Sequence, residues 1–138
     1  MQKAVVTGGA GFIGSHLVDE LIKQGVEVIV LDNLSTGKKE NINPKANFIK
    51  CDLSTVSEID LLYYVKGADV VFHLAAMARV QPSIEEPIPY HNTNVTGTHN
   101  LLIAAQKANV KRFIFSSSSS VYGNAKVPTS ETHLKNPM

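Results

Sequence analysis

Glycine constrains the fold of this chain more than any other residue, because four glycines fall within one short segment near its start. They are Gly8, Gly9, Gly11 and Gly14. An apolar, β-branched run at residues 3–7 precedes them, and a stretch with helical hydrophobic periodicity follows them. Glycine at such places permits a tight turn and lets the backbone approach a neighbouring strand or a ligand closely. The segment therefore predicts a strand, a tight turn and a helix in direct succession.

The rest of the chain repeats this alternation of strands and helices. Five apolar runs are predicted to be strands: residues 3–7, 26–32, 47–50, 69–74 and 112–117. Helical patterns separate them, which is typical of βαβ units that build a parallel sheet with both faces covered. The 138 residues are enough to enclose one hydrophobic core. We therefore predict one α/β domain with a doubly wound parallel sheet of about five strands.

Three helices are predicted between these strands. One apolar face of the first helix is formed by five residues: Ile13, Leu17, Val18, Leu21 and Ile22. Gly25 is predicted to end this helix. The second helix is predicted at about residues 54–65, with Ser54 as its N-cap. The third and longest begins near residue 86, accommodates Pro87 and Pro89 in its first turn, and ends near residue 108.

The glycine segment also has the spacing of a dinucleotide-binding turn. Gly9, Gly11 and Gly14 form G-x-G-x-x-G between a strand and a helix, where unpaired amides and the positive end of the helix dipole favour a pyrophosphate. Asp32 ends the second strand, where a carboxylate accepts hydrogen bonds from an adenosine ribose and repels the extra phosphate of NADP. These residues predict an NAD site. The alternative is that the glycines form only a structural turn.

Further motifs extend this pattern over the whole chain. They are Asp32-Asn33-Leu34-Ser35, Cys51-Asp52-Leu53, His73-Leu74-Ala75-Ala76, Asn94-Val95-Thr96-Gly97-Thr98, and Ser116-Ser117-Ser118 followed by Val121-Tyr122-Gly123. With these motifs and the Gly8, Gly11 and Gly14 spacing, the chain resembles the extended short-chain dehydrogenase/reductase family, specifically its nucleotide-sugar 4-epimerases. The resemblance implies a Rossmann-type fold, NAD as the cofactor, and a nucleotide-sugar (UDP-sugar) as the substrate.

The resemblance also implies which residues bind NAD. At the pyrophosphate, the implied residues are Gly8, Gly11, Phe12, Ile13 and Gly14. At the adenosine ribose they are Asp32, Asn33, Ser35 and Thr36, and at the adenine they are Asp52 and Leu53. On the nicotinamide side they are Leu74, Ala75 and Ala76. Asn94, which approaches from the long helix, and Ser116 complete the set. A lysine often follows the fourth strand in these epimerases, and Ala78 occupies the matching position here.

The implied reaction moves a hydride from a sugar carbon to NAD and back, and it needs a base for the hydroxyl proton. In the family the base is a tyrosine whose pKa is lowered by a lysine four residues later. Ser118 matches a serine whose hydroxyl bonds the substrate oxygen, although it could instead bond only local backbone. Tyr122 and Lys126 have the Tyr-x-x-x-Lys spacing, but Gly123 and Pro128 argue against the helix that would bring them together.

Family spacing places the catalytic tyrosine beyond Met138. We therefore expect residues 1–138 to be an NAD-binding domain that stops before the Tyr-x-x-x-Lys helix, lacks a C-terminal substrate domain, and is inactive alone. Related 4,6-dehydratases carry an Asp-Glu pair where this chain has Ser119 and Ser120. Epimerisation is thus favoured, with dehydration or decarboxylation as alternatives within the family. A non-catalytic NAD-binding module is the alternative outside it.

Composition indicates which partners and which cellular location to expect. A formal net charge of +1 attracts neither nucleic acid nor an anionic membrane, and no apolar run is long enough to span a bilayer. The lone Cys51 and the lack of a signal-peptide pattern predict a cytoplasmic protein. The five histidines show no metal-binding spacing and are interpreted as satisfied structural residues. Family members commonly dimerise through the long helix, so we expect a homodimeric parent and exposed apolar surface at Val95 and Leu102.

Overall fold

A single five-stranded parallel sheet organises the protein. The computed structural model describes residues 1–137. The strands are β1 (Lys3–Thr7), β2 (Glu27–Asp32), β3 (Asn47–Lys50), β4 (Val70–His73) and β5 (Arg112–Phe115). They lie in the order β3-β2-β1-β4-β5, and every neighbouring pair is parallel. All five predicted strands are present. β1 and β3 have the predicted bounds, and the other three are one or two residues shorter.

The strand order reverses at β1, which defines where a ligand can bind. From β1 the chain builds outward to β2 and β3, then crosses to the other side of β1 to form β4 and β5. The loops that leave β1 and β4 therefore diverge and open a crevice at the carboxyl ends of the strands. The topology confirms the predicted Rossmann-type, doubly wound sheet.

In the part of the chain that the structure describes, five α-helices connect and cover the strands. They are α1 (Phe12–Lys23), α2 (Glu58–Val65), α3 (Val80–Glu85), α4 (Pro87–His91) and α5 (Thr98–Lys107). The predicted long helix is confirmed in extent, but a π-helical segment, Asn92–Gly97, separates α4 from α5. Pro87 is the first residue of α4, where its missing N–H leaves no hydrogen bond unmade. Helix α3 was not predicted. None of the described helices is both long enough and apolar enough to cross a membrane.

The start of α2 differs from the prediction. Ser54 was expected to be its N-cap, but Ser57 is, and its hydroxyl accepts a hydrogen bond from the Asp60 amide at 3.1 Å. Ser54 instead donates to the Asp52 carboxylate through both its amide and its hydroxyl, at 2.9 and 2.6 Å. An Asx turn of this kind competes with helix formation, which explains the later start.

One apolar position of α1 was also misassigned. The residues of α1 that are buried are Gly14, Val18 and Leu21, whereas Ile13 is 67% exposed. Gly14 belongs to this face because the helix begins directly against the glycine turn. The predicted end of the helix is confirmed: Gly25 follows the C-cap with a φ of 79°, a conformation that glycine adopts without strain.

The two faces of the sheet carry separate cores. Alternate strand residues such as Val5, Leu31 and Val71 face α2 and α5, where Leu61 and Leu101 are almost fully buried. The intervening residues, including Val6 and Val30, face Val18 and Leu21 of α1. Burial of each such aliphatic side chain stabilises the fold by roughly 1.5–3 kcal/mol. A rigid three-layer body thus supports the loops at the carboxyl ends of the strands.

Candidate functional site

The turn between β1 and α1 presents free backbone donors. Gly11 is the N-cap of α1, and its carbonyl accepts the first helical hydrogen bond, from Ser15. Because the first helical amides have no partner within a helix, the N–H groups of Phe12, Ile13 and Gly14 are available to a ligand. An anion there is favoured by the helix dipole by roughly 0.3–1 kcal/mol per favourable contact. The turn can therefore bind a phosphate group.

Two glycines of this turn have no room for a side chain. A Cβ on Gly14 would lie 2.2 Å from the Gly8 carbonyl oxygen, and one on Gly8 would lie 2.7 Å from the Ala75 amide nitrogen. Gly8 also has a φ of 71°, which side-chain-bearing residues rarely adopt. These glycines bring β1, α1 and the segment after β4 into direct backbone contact.

Asp32 is a buried carboxylate held in place by backbone donors. It is only 8% exposed. One carboxylate oxygen accepts from the Ala10 amide at 3.0 Å, and the other accepts from the Leu34 amide at 2.8 Å. These bonds offset the cost of burying the charge. Each oxygen keeps a further lone pair, so Asp32 can accept hydrogen bonds from a ribose beside the glycine turn.

A second carboxylate lies at the end of β3. Asp52 accepts from the Asn33 side-chain amide at 3.1 Å and from Ser54. The hydroxyl of Ser54 is the main reason that the pKa of Asp52 is lowered, and the carboxylate is ionised at neutral pH. The neighbouring Cys51 thiol has its pKa raised to about 11, chiefly by burial and then by Asp52, so it is a weak nucleophile.

His73 joins the sheet to the long helix beneath the site. Its Nδ1 lies 2.7 Å from the Thr7 hydroxyl and its Nε2 lies 2.8 Å from the Thr98 hydroxyl. Thr98 donates to the Asn94 carbonyl, and Thr7 accepts from the Ala75 amide. Because the Thr98 hydroxyl gives its proton to Asn94, it accepts a hydrogen bond from the Nε2–H of His73. The Thr7 hydroxyl then donates to the unprotonated Nδ1. Burial lowers the pKa of His73 to about 4, so the ring is neutral at pH 7.

These elements enclose one cleft, which we call the first cleft, with a volume of about 490 Å³. Every predicted cofactor residue except Asn94 lines it. Sequence reasoning missed six other lining residues: Leu31, Gly37, Cys51, Ala78, Thr93 and Ser117. Gly37 is recognisable only from tertiary structure, because a Cβ there would lie 2.8 Å from the Ala10 Cβ, in a loop that folds back over the turn. Leu31 and Cys51 adjoin predicted residues at strand ends.

Asn94 does not line the first cleft; it lines a neighbouring one together with Ala75, Ala76 and Ser116. Its side-chain oxygen accepts from the Met77 amide at 2.8 Å, and its side-chain nitrogen donates to the Met77 carbonyl at 2.9 Å. Asn94 thereby fixes the segment that follows β4. Thr93, one residue earlier, lines the first cleft instead.

A second cleft of about 670 Å³ adjoins the first. The two share Ala75, Ala76, Ala78, Ser116 and Ser117 as common walls. The second cleft also contains Asn94 and Ser118.

Ser118 lies in the second cleft and is part of a local turn. It is exposed, and its hydroxyl accepts from the Ser120 amide and donates to the Ser120 hydroxyl, both at 3.2 Å. Ser118 therefore makes the local backbone bond that is its alternative role. Ser118 lines the second cleft only, directly after Ser116 and Ser117, which line both clefts.

Tyr122 and Lys126 do not share a helix. A 3₁₀ turn, Ser119–Tyr122, ends where Gly123 adopts a φ of 58°. The chain then continues without a helix through Lys126. No helix therefore brings the two side chains to one face, in line with the turn expected from Gly123 and Pro128.

The expected structural role of the histidines is seen at His73. His73 is buried and fully bonded, but the other four histidines are exposed: His16, His91, His99 and His133. Exposed imidazoles need no protein partner, because water satisfies them. In the part of the chain that the structure describes, no group of three or more His, Cys, Asp or Glu side chains is arranged to hold a metal ion.

Comparison with known proteins decides the family. Residues 4–138 match the NAD dependent epimerase/dehydratase family. The chain belongs to this family. The UDP-glucose 4-epimerase of Lactobacillus helveticus is 42% identical over 138 residues, which cover 99% of this chain and 42% of that protein.

Solved structures of epimerases share the fold. The UDP-glucose 4-epimerase of Thermotoga maritima with UDP-glucose is 46% identical, with a TM-score of 0.89, and the match covers 99% of this chain and 45% of that one. The UDP-glucose 4-epimerase of Brucella ovis in complex with NAD is 36% identical, with a TM-score of 0.89, and the match covers 100% and 42%. The chain thus spans less than half the length of these epimerases.

Proposed function

We propose that this chain is the NAD-binding part of a nucleotide-sugar 4-epimerase and does not complete the reaction alone. The main support is that the glycine turn, the buried Asp32 and the segment after β4 line a single cleft at the switch in strand order. The same fold binds NAD in the Brucella ovis relative.

The first cleft fits NAD in charge and shape. The free amides of Phe12, Ile13 and Gly14 would bind the pyrophosphate, and the missing side chains of Gly8 and Gly14 let it approach the backbone. Asp32 would accept hydrogen bonds from the adenosine ribose. A buried carboxylate there opposes a ribose phosphate, so the proposal includes NAD in preference to NADP.

The second cleft is the proposed place of the sugar. It shares a wall with the first cleft, which brings a sugar close to the nicotinamide end. The Thermotoga maritima relative holds UDP-glucose, which supports a UDP-sugar as the ligand. NAD supplies hydride uptake and return when it is bound.

Ser118 is the proposed hydrogen-bond partner of the reacting sugar oxygen. Its hydroxyl already donates to Ser120, so it can turn that donor toward a ligand in the second cleft. The base is not supplied by Tyr122 and Lys126, because no helix places them on one face. We propose that the tyrosine and lysine of the family follow Met138 in the parent protein. Turnover would therefore need that further segment.

The proposal extends to the assembly and the location of the parent protein. The parent is a homodimer that uses the long helix, supported by Val95 and Leu102, whose side chains are 53% and 44% exposed. Its location is the cytoplasm, supported by the buried free thiol of Cys51, which reducing compartments preserve.

Calorimetric titration of the 138-residue chain with NAD tests the cofactor proposal. We expect saturable binding, and we expect Gly14→Val to abolish it, because a Cβ would lie 2.2 Å from the Gly8 carbonyl oxygen and displace the turn. Gly25→Ala is the control for backbone strain without a steric clash: its φ of 79° disfavours any side chain, but its Cβ meets nothing within 4 Å and lies outside the cleft, so it should keep NAD binding. No heat from the unsubstituted chain at millimolar NAD would refute the proposal.

A non-catalytic NAD-binding module would give the same titration. The coding sequence after the Met138 codon separates the two readings. An epimerase predicts an in-frame Tyr-x-x-x-Lys shortly after that codon, with the family's further segments behind it. A stop codon at that place would favour the module and contradict the epimerase.

A further inference from the structure

Arg79 is the source of fixed positive charge in the second cleft. Among the described residues that line this cleft, Arg79 is the one lysine or arginine, and none is Asp or Glu. The neighbouring walls include the apolar Val80, Val95 and Phe115. The cleft therefore presents one cationic group to an anionic ligand, with no acidic side chain on its walls to compete for it.

The backbone of Arg79 is strained. Its φ is 97° and its ψ is 129°, outside the left-handed region that non-glycine residues sometimes visit. Such conformations persist where the surroundings enforce them, and they cluster at ligand-binding sites. Hydrogen bonds from side chains of the long helix hold the two residues before Arg79 in place. Asn94 holds both backbone groups of Met77, and the Tyr90 hydroxyl donates to the Ala78 carbonyl at 2.9 Å.

The guanidinium of Arg79 is free within residues 1–137. It takes part in none of the ion pairs or side-chain hydrogen bonds of the described structure. The side chain is exposed on the wall of the cleft. An arginine fork with its donors unused matches the two oxygens of a phosphate or a carboxylate.

We propose that Arg79 binds the anionic oxygen group of the sugar nucleotide in the second cleft, either its diphosphate or a carboxylate on the sugar, and so positions the sugar. The inference rests on the proposed function, since the ligand is the substrate of that reaction. The pyrophosphate of NAD is a separate anion, because Arg79 does not line the first cleft, where the free amides of α1 lie.

Titration of the NAD-saturated chain with UDP-glucose and with UDP-glucuronate tests this assignment. We expect Arg79→Ala to weaken binding by roughly tenfold to a hundredfold, as loss of a charged hydrogen bond does. Arg79→Lys should retain part of the affinity. Lys45→Ala removes the same net charge from an exposed side chain outside both clefts and should leave the affinity unchanged.

The two ligands distinguish the source of the anion. Equal weakening for both identifies the diphosphate, because UDP-glucose has no carboxylate. Weakening confined to UDP-glucuronate identifies a sugar carboxylate. Unchanged affinity for both in Arg79→Ala would overturn the inference, and so would a chain that binds NAD but neither sugar nucleotide. Failure to bind NAD would instead count against the proposed function, and NAD affinity equal to that of the unsubstituted chain shows that each variant is folded.

Discussion

Acid should destabilise the protein through His73. The ring is 1% exposed, and its contacts are the Thr7 and Thr98 hydroxyls and the rings of Phe113 and Phe115. No charged side chain is among these partners. Burial lowers its pKa from 6.5 to about 4. The unfolded chain therefore binds a proton between these pH values while the folded chain does not.

The sign and size of the effect follow from this difference. The stabilising contribution is fully present above pH 6.5 and is lost as the pH falls toward 4. Each pKa unit corresponds to about 1.36 kcal/mol, so the whole loss is about 3 kcal/mol, of which about 2 kcal/mol has been lost at pH 5. This is a substantial part of the stability of a domain of this size.

Urea unfolding followed by circular dichroism, at several pH values between 7.5 and 4.5, measures the loss. Between neutral pH and pH 5, the free energy of unfolding of His73→Gln should fall by about 2 kcal/mol less than that of the unsubstituted chain. This difference does not depend on how stable the variant is at neutral pH. His99→Gln, an exposed histidine on α5, is the control and should keep the original slope. Equal slopes for His73→Gln and the unsubstituted chain would refute the reasoning. If His73→Gln does not fold, NMR of the unsubstituted chain decides: a His73 ring that titrates near pH 6.5 would contradict it.

Three further predictions follow from the site and its surface. Asp32→Asn should lower the ratio of NAD to NADP affinity by roughly tenfold in calorimetry, because it removes the buried negative charge. Arg79→Gly should raise the free energy of unfolding by about 1 kcal/mol in urea titrations, since glycine adopts a φ of 97° without strain; no gain over Arg79→Ala would contradict this. Val95→Ser combined with Leu102→Ser should reduce self-association in light scattering, and unchanged particle size would show that this face is not responsible.

The sheet could be predicted because its signal is local. Each strand is a short β-branched run that must be buried on both faces, and glycines or polar residues bound it. The N-cap of α2 also has a local signal, since Ser57 and Asp60 have the spacing of a capping pair. Ser54 is not the N-cap because it is bonded within the Asx turn at Asp52.

The parts that escaped prediction depend on tertiary contacts. The orientation of Asn94 results from the π-helical segment and from the path of Met77, neither of which has a sequence period. The role of His73 requires Thr7 and Thr98 to meet it across the sheet and the helix. The strained backbone of Arg79 likewise arises from contacts made by distant residues. Spacing alone cannot reveal any of these.

NMR of the ¹⁵N-labelled chain titrated with NAD tests the central claim most directly, because it reports where the cofactor binds. The account predicts that the amides of Phe12, Ile13 and Gly14 shift most, together with those near Asp32 and Ala75. An absence of shifts at saturating NAD would contradict the account. Shifts confined to another surface, such as the groove around Tyr63 at the opposite end of the strands, would contradict it equally.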